Sequence, residues 1–237
     1  MRIGLFDSGV GGLTVLKTLQ KKYPHNEYIY YGDTLNIPYG DKSKEELLNL
    51  AKNNVAFLLR KKVDMIIVAC GTVSSNCLDI IKKENTIPIY SILEPTIDYL
   101  NKSNYENILV IATHATINSH IFKNNVKKNI YELETPKLVP IIESGDYTDL
   151  NKILHSYLDD YKNKIDALVL GCTHYPIIKE KIKKIINANL LDMSDYININ
   201  NGNKSNLELY FSKIDDKITN NTKKILNLNN IDINLKQ

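Results

Sequence analysis

Two stretches of the 237-residue chain end an apolar run in a cysteine: Met65-Ile-Ile-Val-Ala-Cys70-Gly-Thr and Ala167-Leu-Val-Leu-Gly-Cys172-Thr-His174. The same lead-in precedes both, Lys62-Val63-Asp64 and Lys164-Ile165-Asp166. Four kinds of chemistry suit a cysteine so placed. A redox disulfide normally takes the C-x-x-C form, which the chain lacks. A metal site could draw on Cys70, Cys172, His174 and His114, but only Cys172 and His174 have the short spacing of paired zinc ligands. A Cys-His nucleophile needs one thiol and one base, which leaves the second strand-end cysteine unexplained. Two-base proton transfer uses both: one thiolate takes a proton from one face of a carbon while the opposing thiol protonates the other. A free thiol titrates near about 8.5 and burial raises it, so such a site needs helpers beside each sulfur and donors for substrate charge. Asp7, Ser8, Thr72, Glu143, Thr173 and His174 are the candidates at strand ends.

These residues need rigid elements to position them. Short continuous apolar runs suggest strands at 2–6, 27–31, 65–69, 87–90, 108–112, 137–140, 167–170 and 190–191. Amphipathic stretches between them predict helices at 12–22, 43–61, 75–84, 95–101, 116–125, 147–160, 177–186 and 206–227. This alternation predicts an α/β fold of mainly parallel, doubly wound sheets covered on both faces. The repeated cysteine strands suggest two pseudo-symmetric halves, each offering a thiol at the carboxyl end of a strand, where open α/β sheets bind ligands. A boundary is expected near Glu94-Pro95. The units are then 1–94 and 95–204, with 205–237, which has room to pack on either half, assigned to the first.

The charge of +3 is small and spread, with no basic block interleaved with aromatics, so no nucleic-acid partner is expected. No apolar run approaches the roughly 18 residues of a membrane span, and Met1–Val10 does not read as a leader. Three cysteines, an odd count, favour a reducing compartment, hence the cytoplasm.

Several ordered motifs then align with one family. They are I-G-L-F-D-S-G-V-G-G-L-T-V (3–15), Y-Y-G-D-T (30–34), P-Y-G-D-K-S (38–43), V-A-C-G-T (68–72), E-P (94–95) and G-C-T-H-Y-P (171–176). In these the chain resembles the glutamate racemases of the aspartate/glutamate racemase family. The resemblance implies two α/β domains with glutamate in the cleft between them and Cys70 and Cys172 as acid/base thiols. Asp7 would assist Cys70 and His174 would assist Cys172, with Glu143 a further helper. Substrate contacts would come from Asp7, Ser8, Tyr39, Gly40, Gly71, Thr72, Thr113, Thr116, Thr173 and His174. It implies a homo-oligomer (dimer) working without cofactor or metal, making D-glutamate for peptidoglycan. The family usually has C-N-T where this chain has Cys70-Gly71-Thr72, so a polar side chain is missing beside one thiol. An aspartate or broader amino-acid racemase, or a non-catalytic amino-acid-binding relative, is the alternative.

Other residues take plainer readings. Cys77 is expected as a small buried hydrophobe, and His25, His120 and His155 as surface or structural residues. His114 could border the cleft, and Asp33 is expected to shape its loop. Gly9-Val-Gly-Gly lacks the lysine of a phosphate loop and suggests a tight strand-to-helix turn, whose helix N-terminus could receive a substrate carboxylate.

Overall fold

A computed structural model describes residues 1–236. Its ten strands are β1 (Arg2–Asp7), β2 (Glu27–Gly32), β3 (Met65–Val68), β4 (Ile89–Ser91), β5 (Asn107–Ala112), β6 (Asn129–Glu134), β7 (Ala167–Leu170), β8 (Asn189–Asp192), β9 (Asn206–Phe211) and β10 (Ile233–Leu235). They form a six-stranded sheet in the order β10-β9-β2-β1-β3-β4 and a four-stranded sheet in the order β6-β5-β7-β8. Every pairing is parallel. The short central strands β3 and β7 are buried along their whole length, which is why they read as unbroken apolar runs. One core lies on one face of the first sheet around Phe6, Leu58 and Val68, and a second lies on the four-stranded sheet around Leu109, Leu154 and Leu168. A third joins the remaining faces of both sheets through Ile3, Leu5, Ile108 and Val110. Each such side chain contributes about 1.5–3 kcal/mol on burial, so this shared core fixes one sheet against the other.

The order β2-β1-β3-β4 is repeated as β6-β5-β7-β8. The recurring Lys-x-Asp explains part of the likeness. The Asp64 carboxylate accepts the Arg2 N–H at 2.7 Å, and the Asp166 carboxylate accepts the N–H groups of Glu106 and Asn107 at 2.9 and 2.8 Å. Each aspartate enters the strand that ends in a cysteine and ties it to the start of its neighbour.

Three expectations are corrected. Residues 137–140 form no strand; Leu138–Ser144 is a helix. Pro140 would break a sheet ladder but sits in the first helical turn, where its missing N–H has no intrahelical acceptor to lose. The strand of this region is β6, whose alternating pattern marks an edge strand rather than a buried one. Second, 206–227 is not one helix: Asn206–Phe211 is β9, and a helix over Asp216–Leu226 follows, capped by Asp215, which accepts the Ile218 N–H at 2.8 Å. Third, the helices expected over 75–84 and 116–125 are each broken, near Cys77 and His120.

Two backbone N–H donors hold the Asp166 carboxyl below its ordinary value of 3.8. A depressed carboxyl contributes stability above its unfolded-state pKa, and that contribution is lost as pH falls through the folded-state value. Asp166→Asn should therefore lower the urea midpoint near neutral pH, and the gap from wild type should close on acidification to about pH 3. A gap that did not change with pH would show that the carboxylate charge is not what ties β7 to β5.

Candidate functional site

Both cysteines leave the carboxyl ends of paired strands. The Ala69 N–H continues the β1 ladder by donating to Phe6 at 3.0 Å, and the Gly171 N–H continues the β5 ladder by donating to Ile111 at 2.8 Å. The next residue in each case is the cysteine. Cys70 and Cys172 are 4% and 8% exposed, and both line one cavity of about 60 Å³ between the two sheets. Ser8, Tyr39, Gly40, Gly71, Thr72, Thr113, Thr173 and His174 line it with them. Asp7, Thr116 and Glu143 stand behind this wall. Sequence reasoning missed a second wall, Thr135 and Pro136 ahead of the Leu138–Ser144 helix and Val139 and Pro140 in its first turn, because 137–140 was read as a strand interior; Ile37, Pro38 and Asp41 also line the cavity.

On one side the Cys172 sulfur lies 3.6 Å from His174 Nδ1, and His174 Nε2 lies 2.6 Å from Glu143 Oε1. Burial pulls the His174 pKa down, but hydrogen bonds to Cys172 and Glu143 and the negative charge of both outweigh it, so it stands well above 6.5. Burial likewise raises the Glu143 carboxyl, yet the His174 contact wins and leaves it below 4.5. The group is a carboxylate–imidazolium pair whose second N–H points at the Cys172 sulfur. Gly11, at the start of the first helix, packs on this imidazole: a Cβ there would lie 2.5 Å from His174 Nδ1. The glycine run 9–12 holds no left-handed residue, so close approach rather than turn geometry explains Gly11.

On the other side burial drives the Cys70 thiol far above its ordinary 9.0, and the charge of Asp7 adds to the rise. The backbone N–H groups of Val73 and Thr72 pull the other way. Asp7 is fully buried and turned toward the backbone. Its Oδ2 accepts the N–H groups of Gly9 at 3.2 Å and Gly12 at 2.9 Å, and its Oδ1 accepts the Thr173 hydroxyl at 3.4 Å. The helix N-terminus that could have received a substrate carboxylate thus holds Asp7 instead. Among the described residues no hydrogen bond joins Asp7 to Cys70.

Hydroxyls cross the cleft. Thr72, after β3, lies 2.9 Å from the Thr113 hydroxyl, after β5, and Thr113 lies 3.1 Å from that of Thr116. At Gly71 the halves touch: a Cβ would lie 2.9 Å from the Gly171 carbonyl oxygen. With the sheets this close, the position leaves no space for the family's usual asparagine, and Gly71 meets the cavity with backbone alone. The Tyr39 hydroxyl is turned away from the cavity. It donates to Asp33 at 2.6 Å and accepts from Asn54 Nδ2 at 3.1 Å. Asp33 therefore shapes its loop by fixing a cavity tyrosine.

His114 does border the cavity, its Nδ1 2.6 Å from Glu134 and its Nε2 2.7 Å from the Asn118 amide. His120 and His155 are surface residues paired with Glu132 and Asp159. Cys77 is buried in the first core, where burial pushes its thiol up to about 11. All three cysteines are free. Among the described residues no three His, Cys, Asp or Glu side chains converge on a metal position, and no helix is long and apolar enough to cross a membrane.

The family model "Asp/Glu/Hydantoin racemase" matches residues 15–196. A glutamate racemase of Hydrogenobaculum sp. is 41% identical over 229 residues, covering 90% of this chain and 88% of the relative. The crystal structure of glutamate racemase from Francisella tularensis in complex with D-glutamate superposes with a TM-score of 0.87 at 31% identity, over 100% of this chain and 97% of that one. Glutamate racemase from Aquifex pyrophilus gives 0.85 at 35%, over 100% and 98%. The chain therefore belongs to the Asp/Glu/hydantoin racemase family of isomerases.

Proposed function

We propose that the chain is a glutamate racemase that inverts the α-carbon by two-base proton transfer between Cys70 and Cys172. The observation that carries this reading is the pair of buried thiols on opposing strand ends of one small cavity, one 3.6 Å from the His174 imidazole and the other pushed up by burial and the charge of Asp7. Cys172, beside the His174 imidazolium, acts as the base. Cys70, raised by burial and Asp7, is the resting thiol. In one direction Cys172 Sγ takes the α-proton and the C–H electron pair stays on the substrate as an enolate-like carbanion. Cys70 Sγ–H then gives its proton to the opposite face. The reverse direction exchanges the roles, and the N–H groups of Thr72 and Val73 supply the stabilisation that the Cys70 thiolate then needs.

The lining carries no lysine or arginine. Substrate carboxylates are met instead by hydroxyls of Ser8, Thr72, Thr113 and Thr173 and by backbone N–H groups at the strand ends, with His114 and Asp41 nearby. Donors already fixed by the fold stabilise developing charge without reorganising. Units 1–94 with 205–237 and 95–204 would each bring one thiol, and the D-glutamate formed would serve peptidoglycan synthesis.

Cys70→Ser and Cys172→Ser should each keep glutamate binding and lower racemisation by about 10²–10⁴-fold, the usual contribution of a positioned acid or base. Circular dichroism on L- and D-glutamate reads the rate, and α-deuterium uptake in D₂O separates proton transfer from mere binding. Near wild-type rates in both variants would sink the two-thiol mechanism, whereas racemisation of aspartate in preference to glutamate would keep the chemistry and change the substrate.

Glu143→Gln removes the carboxylate that helps hold the His174 proton. His174 should then lose that proton nearer its ordinary 6.5. A raised pKa keeps its effect below the unfolded value and loses it as pH rises through the folded one, so kcat/KM of the variant should fall between about pH 6 and pH 8 where wild type stays level. Parallel pH profiles for the two proteins would rule out Glu143 as the residue that keeps the imidazole charged.

A further inference from the structure

Tyr31 repeats the arrangement of Tyr39 on the other side of Asp33. Asn54 donates to the Tyr39 hydroxyl, which donates to Asp33 Oδ2; Lys236 Nζ donates to the Tyr31 hydroxyl at 3.1 Å, which donates to Asp33 Oδ1 at 3.3 Å. Asp33 is 2% exposed and forms no direct ion pair among the described residues. A carboxylate so placed needs compensating donors and positive charge. Asn36 supplies two N–H contacts at 3.0 Å. The cation comes from Lys236, half-buried, its ammonium 4.6 Å from the centre of the Tyr31 ring and its backbone N–H donating to Phe211 at 2.9 Å. The ends of β9 and β10 grip the same loop elsewhere. Ser212 Oγ accepts the Leu35 N–H at 2.9 Å, and Thr34 Oγ1 donates to the Lys213 carbonyl at 2.6 Å.

We propose that Lys236 is a positioning residue for the Tyr39 wall of the substrate cavity, acting through Tyr31 and Asp33. The proposal rests on the racemase reading for its effect on turnover but not for its effect on the loop. Its charge holds Asp33 as the acceptor on which both tyrosine hydroxyls converge. Asn54 Oδ1 has no partner, so without that acceptor the Tyr39 hydroxyl would turn to Asn54 and the loop before Tyr39 would loosen.

Hydrogen exchange followed by mass spectrometry in the full-length protein tests this. Lys236→Met, which keeps the apolar stem, should speed exchange in residues 33–41 about three- to tenfold and raise KM for glutamate by a similar factor, with kcat within about twofold. Lys236→Arg, which restores a cationic donor, should return both to wild-type values. In a Tyr31→Phe background the Lys236→Met change should add nothing, because the relay is already cut. Unchanged exchange at 33–41 in Lys236→Met, or the same effect with and without the Tyr31 hydroxyl, would overturn the proposal. Exchange needs no turnover, so it decides the positioning role even if the protein fails to racemise glutamate.

Discussion

Gly71 and the Gly171 carbonyl come together across the cleft with no space for a Cβ between them. The cavity depends on that backbone contact. Two sulfurs can serve opposite faces of one small carbon centre only if the strand ends carrying them approach closely. Bulky side chains would hold the sheets apart, so the meeting surface is built from small groups. Gly71 faces Gly171, Gly11 lies against His174 and Thr173, and the Thr72 hydroxyl reaches Thr113. The shared core through Ile3, Leu5, Ile108 and Val110 supplies the opposing rigidity. Apolar burial is non-directional and sets the approach, while glycine and threonine set how near it can go.

Symmetry of the scaffold does not extend to the charges. The sheet order repeats, the Lys-x-Asp lead-in repeats, and each cysteine follows its strand by the same logic. Yet Cys172 has a protonated imidazole beside it, while Cys70 has the charge of Asp7 at short range. The repeated frame thus gives its two thiols different electrostatic surroundings.

The α/β alternation, the paired cysteines and most cavity residues were legible in the sequence. Strands covered on both faces are apolar without interruption, and the residues after them appear as compact motifs. Strands at and near the sheet edges were less legible. β6, at an edge, alternates, and β9, next to the edge strand β10, was taken into a helix because the residues before Asp215 carry no strong turn signal. The wall over 135–140 was misplaced because a short apolar run containing a proline fits a strand by hydropathy and a first helical turn by backbone chemistry. Asp33, Asn54 and Lys236 act through other side chains, and such partnerships are set by tertiary packing rather than by local pattern.

Two carboxylates, Asp33 buried and Glu143 partly buried, illustrate why such second-layer residues matter. Glu143 and Asp33 lie behind opposite walls of the cavity, each touching one side chain that faces it, His174 or Tyr39. Burying a carboxylate is unfavourable unless its lone pairs are filled and its charge is met. Glu143 meets an imidazolium directly, so its charge is coupled to the proton on His174. Asp33 meets only neutral donors in direct contact, and positive charge reaches it through the Tyr31 hydroxyl. The first arrangement couples the carboxylate to the protonation of a buried ring, because moving that proton changes its energy. The second makes it a fixed anchor, since no proton in its circuit needs to move during turnover. The same residue type thus meets a charged ring on one wall and neutral donors on the other, and the difference lies in whether its direct partner carries a proton that can be lost.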